Sequence, residues 1–150
     1  MPNQIFFILP EIDREKTKKA VEVALEKYRF YLLTIPEEML PKVTASYSLI
    51  PPAFTNKYYS STESVVIDKL DREQERLDYI EWIRKAVNRL TGREREIIIK
   101  RYLSDEEMYD YEIYNQIGLS ERRYYRQKAR IFYKLAFLLK VEVYKSEHPV

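Results

Sequence analysis

The chain has 150 residues, 26 of them basic and 24 acidic, with two glycines, one histidine and no cysteine. The lack of cysteine excludes disulfides and thiolate metal ligands. The single histidine, His148, lies next to the C-terminus, which excludes a two-histidine metal site and argues against a Ser-His-Asp triad. Gly92 and Gly118 are too far apart for a phosphate-binding glycine loop. We therefore predict that the protein is not an enzyme and uses no cofactor and no metal.

Apolar residues are spread along the chain rather than gathered in one long run. No segment approaches the roughly 18 apolar residues of a membrane span, and the apolar run at residues 5–9 is too short for a secretory leader. These features predict a cytoplasmic protein without a membrane-spanning segment. With 45% hydrophobic residues, a chain of this length can form its own core.

The predicted fold is all-α, and its first part, residues 1–60, holds one helix and an extended arm. Asp13 is suited as an N-cap, and apolar residues follow it at intervals of three and four, which predicts a helix over about 13–33. Residues 36–61 are rich in proline, serine, threonine and tyrosine and have no hydrophobic period. We expect them to form an extended linker or surface arm.

A long helix is predicted over residues 61–90, with a cap at residues 61–62 and an apolar stripe along most of its length. Two roles are open for this stripe: packing against the C-terminal part of the chain, or self-association. Glu73 and Arg84 interrupt the heptad pattern, which argues against a regular coiled coil. Because so long a helix is hard to bury in one small domain, we favour a homo-oligomer, with a dimer first. It would form through this helix or the first one and include Trp82.

The third part, residues 91–150, begins with a capping box. Thr91 and Glu94 have the S/T-x-x-E spacing with which helices begin, and the apolar residues that follow predict a helix to Leu103. The next loop is acidic and has two interpretations, a divalent-metal nuclease site or a solvated loop whose charge favours a helix start. We favour the solvated loop. The acidic residues in question are Asp105, Glu106, Glu107, Asp110 and Glu112.

Two further helices follow, with a tight turn between them. A short helix is predicted over about 110–117, Gly118 can take the positive φ of the turn, and Ser120 can cap the next helix, which we expect to run to about 143. Residues 120–134 carry six basic side chains against one acidic side chain, a net charge of +5. Together these features predict a helix-turn-helix unit whose second helix, about 120–134, enters the major groove of DNA.

The faces of this basic helix predict which side chains meet DNA. Tyr124, Ile131 and Leu135 mark its inner face, and Lys128 falls on the same face, so its stem must lie along the core and its amine must reach the edge. For reading bases, where arginine forms a bidentate pair with guanine, we predict Glu121, Arg122, Tyr125 and Arg126. For contacts with DNA phosphates we predict Ser120, Arg123, Lys128, Arg130, Lys134, Lys100 and Tyr111, with Arg95 and Arg101 as further candidates.

Tyrosine is unusually frequent, and seven of the 14 tyrosines lie between residues 102 and 133. Because a tyrosine buries its ring and keeps its hydroxyl near water, we predict that four of them lie in the core or at its edge. These are Tyr102, Tyr114, Tyr124 and Tyr133. Tyr111 and Tyr125 are the two that we expect to contact DNA.

The order of these features resembles region four of sigma factors, in which a helix with Arg-Glu before an apolar run is followed by an acidic loop, Glu-Ile, Gly-x-Ser and a basic helix. Tyr114 departs from that pattern, since most such motifs have a small residue there. Over nearly the whole chain, the sequence also resembles the ArpU-type phage transcriptional regulators, which have the large residue too. The stretches that carry this resemblance are residues 13–17, 28–29, 55–63, 93–103, 112–118, 120–125 and 135–144.

The ArpU resemblance implies a phage or prophage regulator of late or lytic genes in a Gram-positive host, with a sigma-like DNA-binding domain. We predict a sequence-specific regulator that binds double-stranded DNA, with host RNA polymerase as a further candidate partner. One alternative is a DNA-packaging subunit similar to a small terminase, which shares a helix-turn-helix and oligomerising helices. Another is an interaction module whose sigma-like domain mainly contacts RNA polymerase.

Overall fold

The structure is a computed structural model that describes residues 11–52 and 64–145; of residues 64–70 it describes the backbone alone. Within these ranges the protein is mainly α-helical, which confirms the predicted helical class. In chain order the elements are α1 (Arg14–Thr34), a 3-10 turn (Glu37–Met39), β1 (Lys42–Val43), β2 (Leu49–Ile50), α2 (Ser64–Asn88), α3 (Gly92–Ile98) continued by a π-helical turn (Ile99–Leu103), α4 (Asp110–Ile117) and α5 (Glu121–Leu139). None of the helices described is both long and apolar enough to cross a bilayer.

The first helix, α1, begins at the residue that the sequence predicts. The Asp13 carboxylate accepts a hydrogen bond from the backbone N–H of Lys16 at 3.1 Å, which satisfies one of the free donors of the first turn. Val21, Leu25 and Tyr28 recur at intervals of three and four and are fully buried. They therefore form the face of α1 that packs against the rest of the molecule.

Residues 36–52 do not form the extended arm that their composition predicts. They form the 3-10 turn and an antiparallel hairpin in which Val43 pairs with Leu49. Leu49 is only 2% exposed and packs into the core, so this segment belongs to the fold, and the fold is not purely α-helical. The rest of the predicted arm, residues 53–61, and the cap predicted at residues 61–62 lie outside the described residues.

Polar side chains of α2 and α3 hold this hairpin in place. The Asn88 side-chain oxygen accepts from the Leu49 N–H at 2.9 Å, and the Asn88 amide nitrogen donates to the Leu49 carbonyl at 2.7 Å, so Asn88 acts as a strand partner. Arg84 donates to the same carbonyl at 3.1 Å, and Arg95 donates to the carbonyl of Tyr47 at 2.8 Å. Arg95, a further phosphate candidate in the sequence, is thus already occupied.

The long helix α2 packs through its C-terminal half. Ile80, Ile83 and Val87 are buried, and the Tyr79 hydroxyl donates to the Ala24 carbonyl of α1 at 2.6 Å. The helix as a whole contacts α1, α3, α5 and the hairpin. Of the two roles predicted for this helix, packing therefore holds for its C-terminal half.

The segment that begins with α3 forms the centre of the core. It starts at the predicted capping box: the Thr91 N–H donates to the Glu94 carboxylate at 2.9 Å, and the Glu94 N–H donates to the Thr91 hydroxyl at 3.4 Å. Ile97, Ile98 and Ile99 are all buried. Because three consecutive side chains span most of the circumference of a helix, this segment is enclosed by its neighbours. All five helices contribute to this one core, and the three predicted parts of the chain share it.

The last helix, α5, ends at Leu139 and does not continue to about 143 as predicted. Lys140 takes a left-handed φ of 58°, and the N–H of Val141 bonds back into the last turn at 2.9 Å, which closes the helix. The chain then returns to the start of α1, where the Asp13 N–H donates to the Val143 carbonyl at 2.8 Å. Backbone groups that would extend the helix are thus used to join the two ends of the described chain.

Candidate nucleic-acid interface

A three-residue turn joins α4 and α5, at the position that the sequence predicts. Gly118 has a left-handed φ of 76°, and a Cβ placed there would meet no atom within 4 Å, so the backbone conformation alone favours glycine. The Ser120 hydroxyl oxygen accepts from the Arg123 N–H at 3.2 Å and caps α5. Because this oxygen is occupied, Ser120 can contact a phosphate only by donating its hydroxyl hydrogen.

The inner face of α5 is the one that helical spacing predicts. Tyr124, Ile131 and Leu135 are fully buried, and Lys128 is only 8% exposed. These positions recur at intervals of three and four residues and therefore lie on one side of the helix. This packing fixes which side of α5 faces solvent.

The opposite face of α5, which we call the outer face, carries unpaired arginines. Arg122, Arg126 and Arg130 follow one another at intervals of four residues, and all three are exposed, as is Tyr125 beside them. Within the described residues, none of these three guanidinium groups has an ion-pair or hydrogen-bond partner. The other exposed residues at the start of α5 are Glu121 and Arg123. A row of free cations on one helix face creates a positive potential that attracts phosphate groups.

A buried ion pair joins α4 and α5 on the other side of this helix. The Lys128 ammonium donates to both carboxylate oxygens of Asp110, at 3.0 and 3.2 Å. The Tyr124 hydroxyl donates to the same carboxylate at 2.7 Å, and the Arg101 Nε lies 3.4 Å from it. We refer to these four residues as the Asp110 cluster. The phosphate contact predicted for Lys128 is corrected here: its stem does lie along the core, but its amine meets Asp110 and not solvent.

The electrostatics of the Asp110 cluster keep its carboxylate ionised. Burial raises the pKa of Asp110, but hydrogen bonds from Tyr124 and Lys128 outweigh it and hold the pKa below its ordinary value. Burial lowers the pKa of Lys128, against the opposing effect of the Asp110 carboxylate. The sequence placed Asp110 among solvated acidic residues and missed this role. The available signal was that Tyr124 and Lys128, two polar groups one turn apart on a buried face, need a common partner.

Two other lysines that the sequence assigns to phosphates are also paired. The Lys134 ammonium lies 2.7 Å from the Glu94 carboxylate, and the Lys100 ammonium lies 2.9 Å from Glu96 and 2.7 Å from the side-chain oxygen of Gln116. Each ammonium therefore has a carboxylate beside it, which offsets part of the charge that it could offer to a phosphate. Within the described residues, Arg122, Arg126 and Arg130 of α5 have no such partner.

The acidic loop before α4 is largely exposed. Asp105 and Glu106 face solvent, while Glu107 lies 3.7 Å from both Arg29 and Arg101. Arg101, a further phosphate candidate in the sequence, is thus compensated by acidic neighbours. In the part of the chain that the structure describes, no group of acidic or histidine side chains is arranged to hold a metal ion.

The tyrosines of the core follow the prediction with one exception. Tyr102 and Tyr124 are buried, and Tyr114 is partly buried against the core. Tyr133 was predicted at the core edge, but it is 51% exposed. The reason is that Tyr133 comes seven residues after Arg126, which is two helical turns, and so shares the outer face of α5.

Tyr111 and Tyr125, which the sequence assigns to DNA, are both exposed. The Tyr111 ring stacks on the ring of Tyr109, with centroids 5.8 Å apart and planes 9° from parallel. The Tyr125 ring packs edge-on against Tyr124 at 5.3 Å, and is thereby supported by the Asp110 cluster. Both rings are accessible to a ligand, and Tyr125 lies directly beside the arginines of the outer face of α5.

Comparison with known proteins finds similarity over almost the full chain. The sequence is 34% identical over 139 residues to "Uncharacterized phage-related protein Lin1259/Lin1739" of Listeria innocua, and the alignment covers 93% of this chain and 97% of that protein. It is 25% identical over 140 residues to "Protein Gp66" of Listeria phage A118, with 91% and 96% covered. No family model and no solved structure matches the chain.

Proposed function

This chain belongs to the family of phage-related proteins that includes Lin1259/Lin1739 of Listeria innocua, and we propose that it is a sequence-specific DNA-binding regulator of phage or prophage genes. The observation that carries the proposal is the outer face of α5. There, Arg122, Arg126 and Arg130 are exposed and have no partner among the described residues. Arginines in this arrangement are suited to read guanine and to bind phosphate.

In the proposed complex, α4 and α5 form a helix-turn-helix, and the first turns of α5 enter the major groove. Arg122 and Arg126 read base edges, with Glu121 and Tyr125 beside them. Arg123 and Arg130 bind phosphates, and Ser120 and Tyr111 donate their hydroxyl hydrogens to the same backbone. Two features of the turn between α4 and α5 support this arrangement: the positive φ of Gly118 and the cap at Ser120.

The regulatory part of the proposal rests on sequence similarity and on the kind of relatives found. Both named relatives come from Listeria or a Listeria phage and have phage-related names or sources. The ArpU-type resemblance and the order of features shared with sigma region four favour control of late or lytic genes. Contact with host RNA polymerase is a second interaction compatible with this role.

We also propose that the protein acts as a homo-oligomer, with a dimer favoured. A cluster of rings lies between α1 and α2, where Tyr79 packs edge-on against Tyr31 and Trp82 at 5.2 and 5.3 Å. Phe30, whose ring centroid lies 6.5 Å from that of Tyr31, and Trp82 are both exposed, so the cluster reaches the surface as apolar side chains, which are typical of protein interfaces. A dimer would let two α5 helices occupy half-sites about 34 Å apart, one turn of DNA.

The proposal is tested by selection of duplexes from a random-sequence pool with the full chain, followed by footprinting of the enriched sequence. We expect enrichment of one motif that contains guanines and protection of about one or two turns of DNA. Failure to enrich any motif at low salt would contradict sequence-specific binding. Ring-sized assemblies in light scattering, in place of a dimer, would instead favour the packaging subunit.

A further inference from the structure

The Asp110 cluster joins three separate elements through one carboxylate. Asp110 is the first residue of α4, Tyr124 and Lys128 lie one turn apart on α5, and Arg101 belongs to the π-helical turn after α3. Their polar atoms lie between 2.7 and 3.4 Å from the carboxylate oxygens. The two α5 partners fix that helix against rotation about its own axis and against sliding along α4, because two bonds one turn apart permit neither.

The cluster is an inefficient way to stabilise a fold. Lys128 and Asp110 are largely buried, and the cost of removing two charges from water offsets most of their attraction. Apolar residues of similar size commonly give equal or greater stability at such sites. A polar cluster has the advantage of direction, since its hydrogen bonds hold only at one orientation of the helices.

The orientation of α5 determines where the arginines of its outer face point. Arg126 and Lys128 are two residues apart, so the position of the Lys128 side chain also sets the direction in which Arg126 points. Two members of the cluster contact the Tyr125 ring: the Tyr124 ring packs edge-on against it at 5.3 Å, and the Lys128 ammonium lies 5.9 Å from its centre. The side chains proposed to read bases are therefore placed by residues that are buried or largely buried.

We propose that Asp110 is a positioning residue that sets the orientation of α5, and that sequence-selective recognition of DNA depends on it while the general attraction to DNA does not. This inference rests on the proposed function. It assigns selectivity to a buried contact between α4 and α5, in addition to the exposed arginines. A change in orientation displaces base contacts, whereas contacts with phosphates tolerate small displacements.

The experiment compares three variants of the full chain with the unaltered protein. Asp110→Ala combined with Lys128→Met removes the ion pair and keeps the net charge, and Arg101 keeps Glu107 at 3.7 Å as its acidic partner. Glu11→Ala combined with Lys145→Met is the matched control, because it removes an exposed ion pair of 3.0 Å with the same change in charge. Tyr124→Phe deletes one hydrogen bond of the cluster and keeps the buried ring. Dissociation constants are measured on the duplex that the unaltered chain selects from a random pool and on a scrambled duplex of equal composition.

We define selectivity as the dissociation constant for the scrambled duplex divided by that for the selected duplex. We expect this ratio to fall about tenfold in the Asp110→Ala, Lys128→Met variant, through weaker binding to the selected duplex alone. Tyr124→Phe should lower the ratio in the same direction but by less, and the control should leave it unchanged. Binding is measured below the unfolding temperature that circular dichroism gives for each variant. If the double variant does not fold, Tyr124→Phe decides the question.

Wild-type selectivity in both folded cluster variants would overturn the role of Asp110 and leave the proposed function intact. Equal weakening on both duplexes would also overturn it, since that result indicates a merely structural loss. If the unaltered chain itself shows no preference between the duplexes, the proposed function fails, and the assignment of Asp110 fails with it.

Discussion

Arg126 and Lys128, two residues apart on α5, point to opposite sides of the helix and have opposite environments. Arg126 is exposed and has no partner among the described residues, whereas Lys128 is buried and bonded to Asp110. The net charge of +5 on this segment therefore overstates the charge that a ligand meets. The distinction decides which substitutions should affect DNA and which should affect the fold.

Asp110→Asn should destabilise the protein by about 3 kcal/mol, because it leaves the buried ammonium of Lys128 without a compensating charge. Urea unfolding followed by circular dichroism measures this change. Glu107→Gln is the control, since it removes an exposed acid from the same loop and should cost less than about 1 kcal/mol. A loss for Asp110→Asn no larger than that of the control would show that the pair contributes little to stability.

The ion pair between Asp110 and Lys128 should make the free energy of unfolding depend on pH. The pKa of Asp110 is held below 3.8, its ordinary value, so its contribution is fully present above pH 3.8 and is lost as the pH falls through the lower, folded-state pKa. The unfolded chain takes up the proton first, and acid therefore favours unfolding. Urea midpoints measured from about pH 5 to pH 2 should fall less steeply in Asp110→Asn than in the unaltered protein. Parallel curves would contradict the contribution assigned to this carboxylate.

Arg130→Ala should weaken binding to selected and scrambled duplexes equally, because Arg130 is proposed to bind phosphate and not bases. The slope of log affinity against log salt concentration should fall by about one. Lys128→Met provides the comparison: its ammonium is already compensated by Asp110, so the slope should not change. A lower slope in Lys128→Met would mean that the ion pair opens when DNA binds.

Phe30→Glu should convert the proposed dimer to a monomer. Phe30 is 61% exposed and its ring centroid lies 6.5 Å from that of Tyr31, so a charge there faces solvent in the folded monomer but opposes an apolar interface. Sedimentation velocity reads out the change. Val43→Glu introduces the same charge at an exposed apolar residue of the hairpin and should leave the association unaltered. Identical sedimentation of the two variants would contradict an interface at this surface.

Local signals in the sequence were sufficient for the starts of the helices. Asp13, the Thr91 and Glu94 pair, and Ser120 each act within three or four residues, and each caps the helix that it was predicted to cap. Gly118 likewise has the positive φ that its turn requires. Such features depend on chain geometry alone, which is why spacing predicts them.

Features that depend on distant partners were missed. The hairpin is held by Arg84, Asn88 and Arg95, which are 35 to 48 residues from the groups that they bind. The basic side chains pose the same difficulty, since Lys134 is paired with Glu94, 40 residues earlier in the chain. Sequence spacing predicts the helix face on which a lysine lies, but only the tertiary fold determines whether an acidic side chain from elsewhere in the chain lies close enough to pair with it.

Sequence-selective recognition by the outer face of α5 is tested most directly by the affinity of Arg126→Ala for the selected duplex and for its scrambled counterpart. Loss of one base contact should weaken binding to the selected duplex by about 1–3 kcal/mol, with relaxed preference at one position, and should leave the scrambled duplex nearly unaffected. Arg93→Ala, at an exposed arginine of α3, serves as the control. Equal losses on both duplexes would contradict base reading by this face.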